Sequence, residues 1–292
     1  MNPEKPQPRH WLINGLRMEA LCWGDPQAQP LLCLHGWLDN AASFSLLAPL
    51  LTGFHVVALD LSGHGHSSRR SSDATYQIWD DLPEIVGVAD ALGWERFDLM
   101  GHSRGGIIST LLASTLPQRV RRVVLLDAIA PQPVLASDFP VQLANFLHDK
   151  HRLLNRETRV FRIVEEAVRS RMDVGLPPAA AQLLAERNLV PCENGFTWRT
   201  DPRLRGASAV KLTQEHIEAV LRGLVQPTLL LMSQGRIATN SALLKVATRQ
   251  AQALRFEEIA GGHHFHMEPG VDGVAQRIMQ FLQEQTPRGA MF

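Results

Sequence analysis

Net charge is absent from this chain: 29 Lys and Arg offset 29 Asp and Glu over 292 residues, of which only 20% are charged. A neutral surface offers no field to gather polyanions, acidic membranes or strongly charged substrates, which argues against nucleic acid binding. The charge is not segregated either. Residues 129–225 hold 13 Lys and Arg against 11 Asp and Glu, so no basic patch emerges. Cysteine is scarce: Cys22, Cys33 and Cys192 are odd in number and lack ligand-like spacing. Neither a disulfide scaffold nor a structural zinc site is expected, and a reducing, cytoplasmic setting fits. The opening residues MNPEKPQPRH lack the apolar core of a signal peptide. No later stretch reaches the roughly eighteen uninterrupted apolar residues of a membrane span. The expectation is a soluble protein without a membrane partner. Internal repeats and low-complexity tracts are also missing.

Apolar residues, at 45%, suffice for a substantial core. Residues 1–9 hold three prolines and no apolar period, and read as a loose tail. Asn14-Gly15 between the runs 11–13 and 16–23 predicts an edge hairpin, because this dipeptide accepts positive φ. Strand-like runs at 30–34, 54–61, 97–100 and 120–126 then alternate with candidate helices at 43–51, 79–92 and 104–116. This alternation means a parallel sheet with crossover helices. The strands are continuous Val/Leu runs, as expected where both faces of a sheet are covered. After Asp127 the rhythm breaks, and 129–225 reads as a mainly helical inserted lid. The sheet resumes at 227–232, followed by a helix at 241–251, a strand at 254–259 and a helix at 272–285. The division expected is therefore 1–128 as the first part of the core, 129–225 as a helical cap and 226–292 as the second part of the core.

The sharpest chemical signal is Gly101-His102-Ser103-Arg104-Gly105, a G-x-S-x-G pattern directly after a strand and directly before a helix. A tight strand-to-helix turn leaves room only for small residues, and it projects Ser103 above a helix N-terminus that favours developing negative charge. Serine needs a base to take its proton. Among twelve histidines the best placed is His263, in the loop after the last strand, where it reaches the edge of the sheet that carries Ser103. His264, His266 and Glu268 alternate as metal ligands sometimes do, but no second cluster completes a set, and neither a metal nor a cofactor is expected. The third member must be a carboxylate that orients the imidazole. The loop 233–240, a common place for it, contains no acid. Asp127, at the tip of the strand 120–126, is the substitute by geometry and elimination, with Glu257 or Glu258 as the fallback. Backbone amides of Trp37 and Arg104 are the expected oxyanion donors. The Gly/His-rich segment 60–67 lacks the ending of a phosphate loop and reads as a structural turn.

HGW at 35–37, DLSGHGHSS at 60–68, GHSRGG at 101–106, VVLLDA at 123–128 and GGHHFHMEP at 261–269 together resemble the α/β-hydrolase superfamily. Within it, His35-Gly36-Trp37-Leu38-Asp39-Asn40 resembles the serine hydrolase-like proteins. The resemblance implies an α/β fold with a mostly parallel eight-stranded sheet flanked by helices, a helical cap after the sixth strand, Ser103 as nucleophile and His263 as base. Asp127-Ala128-Ile129-Ala130-Pro131 is similar to the haloalkane dehalogenases, some of which carry their acid after strand six, and this supports Asp127. Dehalogenases and epoxide hydrolases place an aspartate where this chain has Ser103, so alkyl-enzyme chemistry is disfavoured. Arg104 also departs from the aromatic or methionine often found there; its side chain is expected to narrow the pocket or meet a substrate carboxylate.

These residues point to a serine esterase that acts on a small-molecule acyl substrate. Lid residues Phe139, Phe146, Leu147 and Phe161 would line a pocket for a small to medium apolar acyl group. Carbon–carbon bond hydrolysis, thioester cleavage or perhydrolysis on the same triad, and a ligand-binding protein without catalysis, are the competing readings.

Overall fold

Asn14 and Gly15 take φ of 51° and 79° and fold β1 (Gln7–Ile13) back on β2 (Leu16–Trp23). The computed structural model describes residues 5–154, 156 and 158–284. Residues 7–9, expected in a loose tail, are paired with Ala20, Leu21 and Cys22. Strand pairing there needs no apolar pattern, because β1 is an exposed edge where even Pro8 is tolerated. Residues 1–4 lie outside the described residues.

The chain continues through β3 (Gln29–Leu34), β4 (Phe54–Leu59), β5 (Phe97–His102), β6 (Val120–Leu126), β7 (Val160–Phe161), β8 (Leu189–Cys192), β9 (Gly195–Trp198), β10 (Thr228–Ser233) and β11 (Leu254–Ile259). Eight of these form one sheet in the order β1-β2-β4-β3-β5-β6-β10-β11, parallel from β4 onward. The helices among the described residues are α1 (Leu82–Ala91), α2 (Arg104–Thr115), α3 (Phe139–Leu154), α4 (Val164–Met172), α5 (Pro178–Asn188), α6 (Gln214–Gly223), α7 (Gln234–Thr239), α8 (Ser241–Gln250) and α9 (Val271–Gln283).

Alternate strand residues feed two cores, which is why the central strands read as unbroken apolar runs. Leu32, Leu34, Leu99, Val123 and Leu125 pack with Ile85 and Val88 of α1, Ile108 and Leu112 of α2 and Leu244 of α8. Leu31, Cys33, Met100, Val124 and Leu126 pack on the other face with Val274, Ile278 and Phe281 of α9. The α2 helix is enclosed almost all round, and its buried Ser109 and Thr110 hydroxyls donate to the carbonyls of Gly105 and Gly106, four residues back.

Two expected helices differ. Residues 43–51 form two 3₁₀ turns, 41–44 and 48–50, because Pro49 cannot donate an intrahelical bond. The helix expected from residue 79 starts at Leu82, where Pro83 sits in the first turn. Residue 285, the expected end of the last helix, lies outside the described residues.

The segment after β6 is not purely helical. β7, β9 and β8 make a small antiparallel sheet. The β8–β9 hairpin turns through Glu193 and Asn194, with Gly195 at φ 134° against the carbonyl of Phe161. α6, which the boundary at 225 puts in the insertion, buries Ile217 and Leu221 in the same cluster as Ile108 and Leu112 of α2.

Candidate active site

β5 enters α2 through a turn that only its own sequence permits. Ser103 holds φ 51° and ψ −116°, outside the regions that a serine ordinarily occupies. Its amide donates to the carbonyl of Leu126 at 2.9 Å, which pins the turn to β6. A β-carbon on Gly105 would stand 2.1 Å from the carbonyl oxygen of Leu34, and one on Gly101 would stand 2.2 Å from that of Gly105.

Three side chains from the ends of β5, β6 and β11 meet at this turn. Ser103 Oγ lies 2.9 Å from His263 Nε2, and His263 Nδ1 lies 2.5 Å from Asp127 Oδ2. Asp127 is fully buried and itself takes a positive φ of 62°. Its other oxygen accepts from the Ser233 amide at 2.8 Å and the Ser233 hydroxyl at 3.0 Å. Both carboxylate oxygens are thereby occupied, and an imidazole whose Nδ1 donates to Asp127 presents a lone pair at Nε2 to the serine hydroxyl. Such a chain can move a proton from Ser103 to His263.

Of the expected oxyanion donors, Trp37 lines the larger cavity with Ser103 and His263, and Arg104 follows Ser103 at the start of α2. The Trp37 amide donates to no acceptor among the described residues, and the Arg104 amide opens α2, where no intrahelical partner exists. Leu38 next to Trp37 holds φ 60°, and its amide donates to His64 Nε2. His35 fastens the same loop, with Nδ1 donating to the Gly36 carbonyl and Nε2 accepting from the Leu61 amide. The Arg104 side chain corrects the expectation for it: its guanidinium pairs with Asp81 at 2.8 Å and lines neither cavity at Ser103.

The histidine cluster also resolves differently from a metal site on His264, His266 and Glu268. Ser43 Oγ partners His266 Nε2, Asp39 partners His264 Nε2, and Glu268 accepts from the Gly262 amide. The ligand atoms of Asp39, His102 and His264 are the one His/Cys/Asp/Glu set among the described residues that lies within 4.8 Å of one another. Asp39 there is already engaged by Arg171 of α4 at 2.5 Å and by His264 at 3.1 Å, which ties the insertion to the loop that carries His263. Burial alone would raise the Asp39 carboxyl, but the hydrogen bond and charge of His264 and the charge of Arg171 hold it below the usual carboxylate range. His102 donates from Nε2 to the carbonyl of His263 at 2.8 Å. Burial, then the neighbouring His266 and His264, push its pKa well down, so it stays neutral. Sequence reading missed Asp39, His102 and Ser233, because each acts through a partner more than sixty residues away.

Two cavities open on Ser103. The larger, about 760 Å³, is roofed by the insertion and lined by Trp37, Asp39, His263, Trp198 and four arginines. The smaller, about 220 Å³, is lined mainly by apolar side chains, including Ile107, Ile129, Met232, Leu243 and Leu244. None of Phe139, Phe146, Leu147 and Phe161 lines either. Phe139 and Leu147 face solvent, Phe146 borders a separate crevice with Tyr76, and Phe161 is buried against Trp198. As apolar residues of the lid they are expected to line the pocket, but Phe161 pairs into the small sheet of the insertion and the other three lie on α3 away from Ser103.

Residues 29–269 match the family model for the alpha/beta hydrolase fold. The chain is 32% identical over 289 residues to serine hydrolase-like protein 2 of Homo sapiens, covering 90% of each. It is 30% identical over 279 residues to a serine hydrolase-like protein of Danio rerio, covering 91% of this chain and 85% of that one. A solved structure of a hypothetical protein from Pseudomonas aeruginosa PAO1 superposes with a TM-score of 0.87 at 36% identity, over 96% of this chain and 98% of that chain. Among the described residues no helix is long and apolar enough to cross a membrane.

Proposed function

The chain belongs to the α/β-hydrolase family, close to the serine hydrolase-like proteins, and from that membership we propose that it is a serine esterase working through Ser103, His263 and Asp127. The observation that carries this reading is the unbroken hydrogen-bonded chain of 2.9 Å and 2.5 Å that joins the three side chains. His263 Nε2 takes the proton of Ser103 as Oγ attacks the ester carbonyl, and Asp127 stabilises the imidazolium that results. The amides of Trp37 and Arg104 hold the oxyanion. Collapse breaks the C–O bond, with His263 returning its proton to the departing alkoxide and leaving an acyl group on Ser103. Water, deprotonated by His263, then attacks the acyl carbon and releases the acid. The protein needs neither metal nor cofactor for these steps.

The smaller, apolar cavity beside Ser103 takes the small to medium apolar acyl group. The insertion read as a cap over 129–225, between the core segments 1–128 and 226–292, ends before α6, which packs with α2 in the core. The partner is a small-molecule acyl substrate, with no role for nucleic acid or membrane. A cytoplasmic, reducing location suits the three free thiols, two of them buried.

The test pairs a fluorophosphonate probe with aryl esters, thioesters and ring-cleavage diketones, run on wild type and Ser103→Ala. Labelling and ester turnover that both vanish in Ser103→Ala are expected. A wild type that neither labels nor turns over any ester is a ligand-binding protein, and preferential diketone or thioester cleavage moves the reaction to another bond.

A further inference from the structure

The larger cavity at Ser103 has more positive charge than the fold uses. Of the arginines that line it, Arg171 is neutralised by Asp39. Asp201, the other lining acid, is held by Arg203 and Tyr76. Arg156, Arg159 and Arg205 have no carboxylate within ion-pair distance among the described residues. Arg159 instead lies over the ring of Phe161 at 4.8 Å. The Arg205 guanidinium titrates below its ordinary value, because burial and the nearby charges of Arg156 and Arg171 all disfavour another positive charge there. All three are exposed to solvent, so their like charge is tolerated by the fold. An anion that enters relieves this repulsion and makes charge-assisted, bidentate hydrogen bonds that guanidinium forks are shaped for. This local excess coexists with zero net charge, so composition alone conceals it.

Resting on the esterase reading above, we propose that the substrate is an anionic ester: its carboxylate or phosphate is held in the large cavity by Arg205, Arg156 and Arg159, and its compact apolar half fills the small one. With the acyl group in the smaller cavity, the anion belongs to the alcohol half.

Three esters of matched length test this: butyl butanoate, 4-(butanoyloxy)butanoate with the anion on the alcohol side, and monobutyl succinate with the anion on the acyl side. At low ionic strength 4-(butanoyloxy)butanoate should exceed the neutral ester in kcat/KM by about ten-fold or more, the low end for a charged hydrogen bond. That ratio should shrink as salt is added and collapse in Arg205→Gln and in Arg156→Gln. Preference for monobutyl succinate over 4-(butanoyloxy)butanoate overturns the placement of the anion on the alcohol half. A neutral ester turned over as well as both anionic ones overturns the proposal and leaves the esterase reading intact. If no ester is turned over, calorimetric titration of Ser103→Ala with the same three compounds decides. Tighter binding of an anionic ester, abolished by adding Arg205→Gln, supports the anion site, and equal binding of all three refutes it.

Discussion

Replacing Asp127 with Asn alters one atom, and the surroundings dictate what that atom does. Asp127 Oδ1 accepts from the backbone N–H of Ser233 at 2.8 Å, a group that cannot reverse its role. The carbonyl oxygen of the new Asn must therefore stay on the Ser233 side, and its NH₂ must occupy the Oδ2 position facing His263 Nδ1. An NH₂ there forces Nδ1 to accept, which moves the imidazole proton to Nε2. Nε2 then points a hydrogen at Ser103 Oγ and can no longer act as base. A wrong tautomer of this kind lowers kcat by about 10⁴-fold, equivalent to about 5.5 kcal/mol of barrier. No neighbouring acid stands ready to compensate: Glu257 pairs with Arg255 and Arg277, and Glu258 with Gln234. Aryl ester kinetics, fluorophosphonate labelling rate and thermal melting on the same preparation give the answer. Turnover and labelling should fall together, KM should change little and the fold should persist. Turnover within ten-fold of wild type, or labelling at the wild-type rate, would refute both the tautomer argument and the place of Asp127 in the site.

The remaining expectations use other parts of the structure. His35, His64, His102 and His266 are fully buried, and burial is the leading cause that depresses each pKa. Below about pH 6.5 the unfolded chain therefore binds protons that the folded one refuses, so stability is full above that pH and falls as pH drops, by at most about 1.4 kcal/mol per pH unit for each histidine until its folded pKa is reached; a urea midpoint unchanged from pH 8 to pH 5 contradicts this. Gly105→Ala puts a β-carbon 2.1 Å from the Leu34 carbonyl oxygen and should destabilise by about 3 kcal/mol in urea unfolding, whereas a wild-type midpoint would mean that the turn yields. Finally, Asp127→Ser combined with Ser233→Asp moves the acid one strand over and should recover about ten-fold or more of the activity lost in Asp127→Ser alone; no recovery would show that only the β6 tip can aim a carboxylate at His263.

The parts of the fold that were legible were those written in local sequence. The strands of the main sheet are contiguous Val/Leu runs, and the turn at Ser103 is a five-residue pattern with its flanking elements in view. The loop that bears His263 could be placed because it follows the last strand. The insertion resisted reading for two reasons. β7 spans two residues, too few for a period, and β8 and β9, at four residues each, turn through Glu193 and Asn194 without the positive-φ pair that marks the Asn14-Gly15 hairpin. The cavity lining was beyond reach in principle. Arg156, Arg159, Arg171 and Arg205 are scattered over fifty residues of unremarkable composition, and only the folded insertion brings them to one wall.

The position of the acid follows from the same geometry. β10 runs straight into α7 at Ser233, so the segment 233–240, read from sequence as a loop without an acid, contains a helix that opens at Gln234 and offers no loop to carry one. β6 lies beside β10 with Leu126 opposite Leu231, and Asp127 continues this pairing by donating its amide to the Leu231 carbonyl at 2.8 Å. The first residue past the β6 tip is therefore a neighbour of the end of β10, and a side chain from either strand reaches the same point below His263. What β6 adds is the turn: Asp127 holds φ 62°, a conformation that an aspartate tolerates better than most residues. Ser233 then supplies two donors to the oxygen that His263 leaves free. The β10 end thus orients the carboxylate that β6 carries, and this is why Asp127 can be fully buried without an unmet carboxylate oxygen.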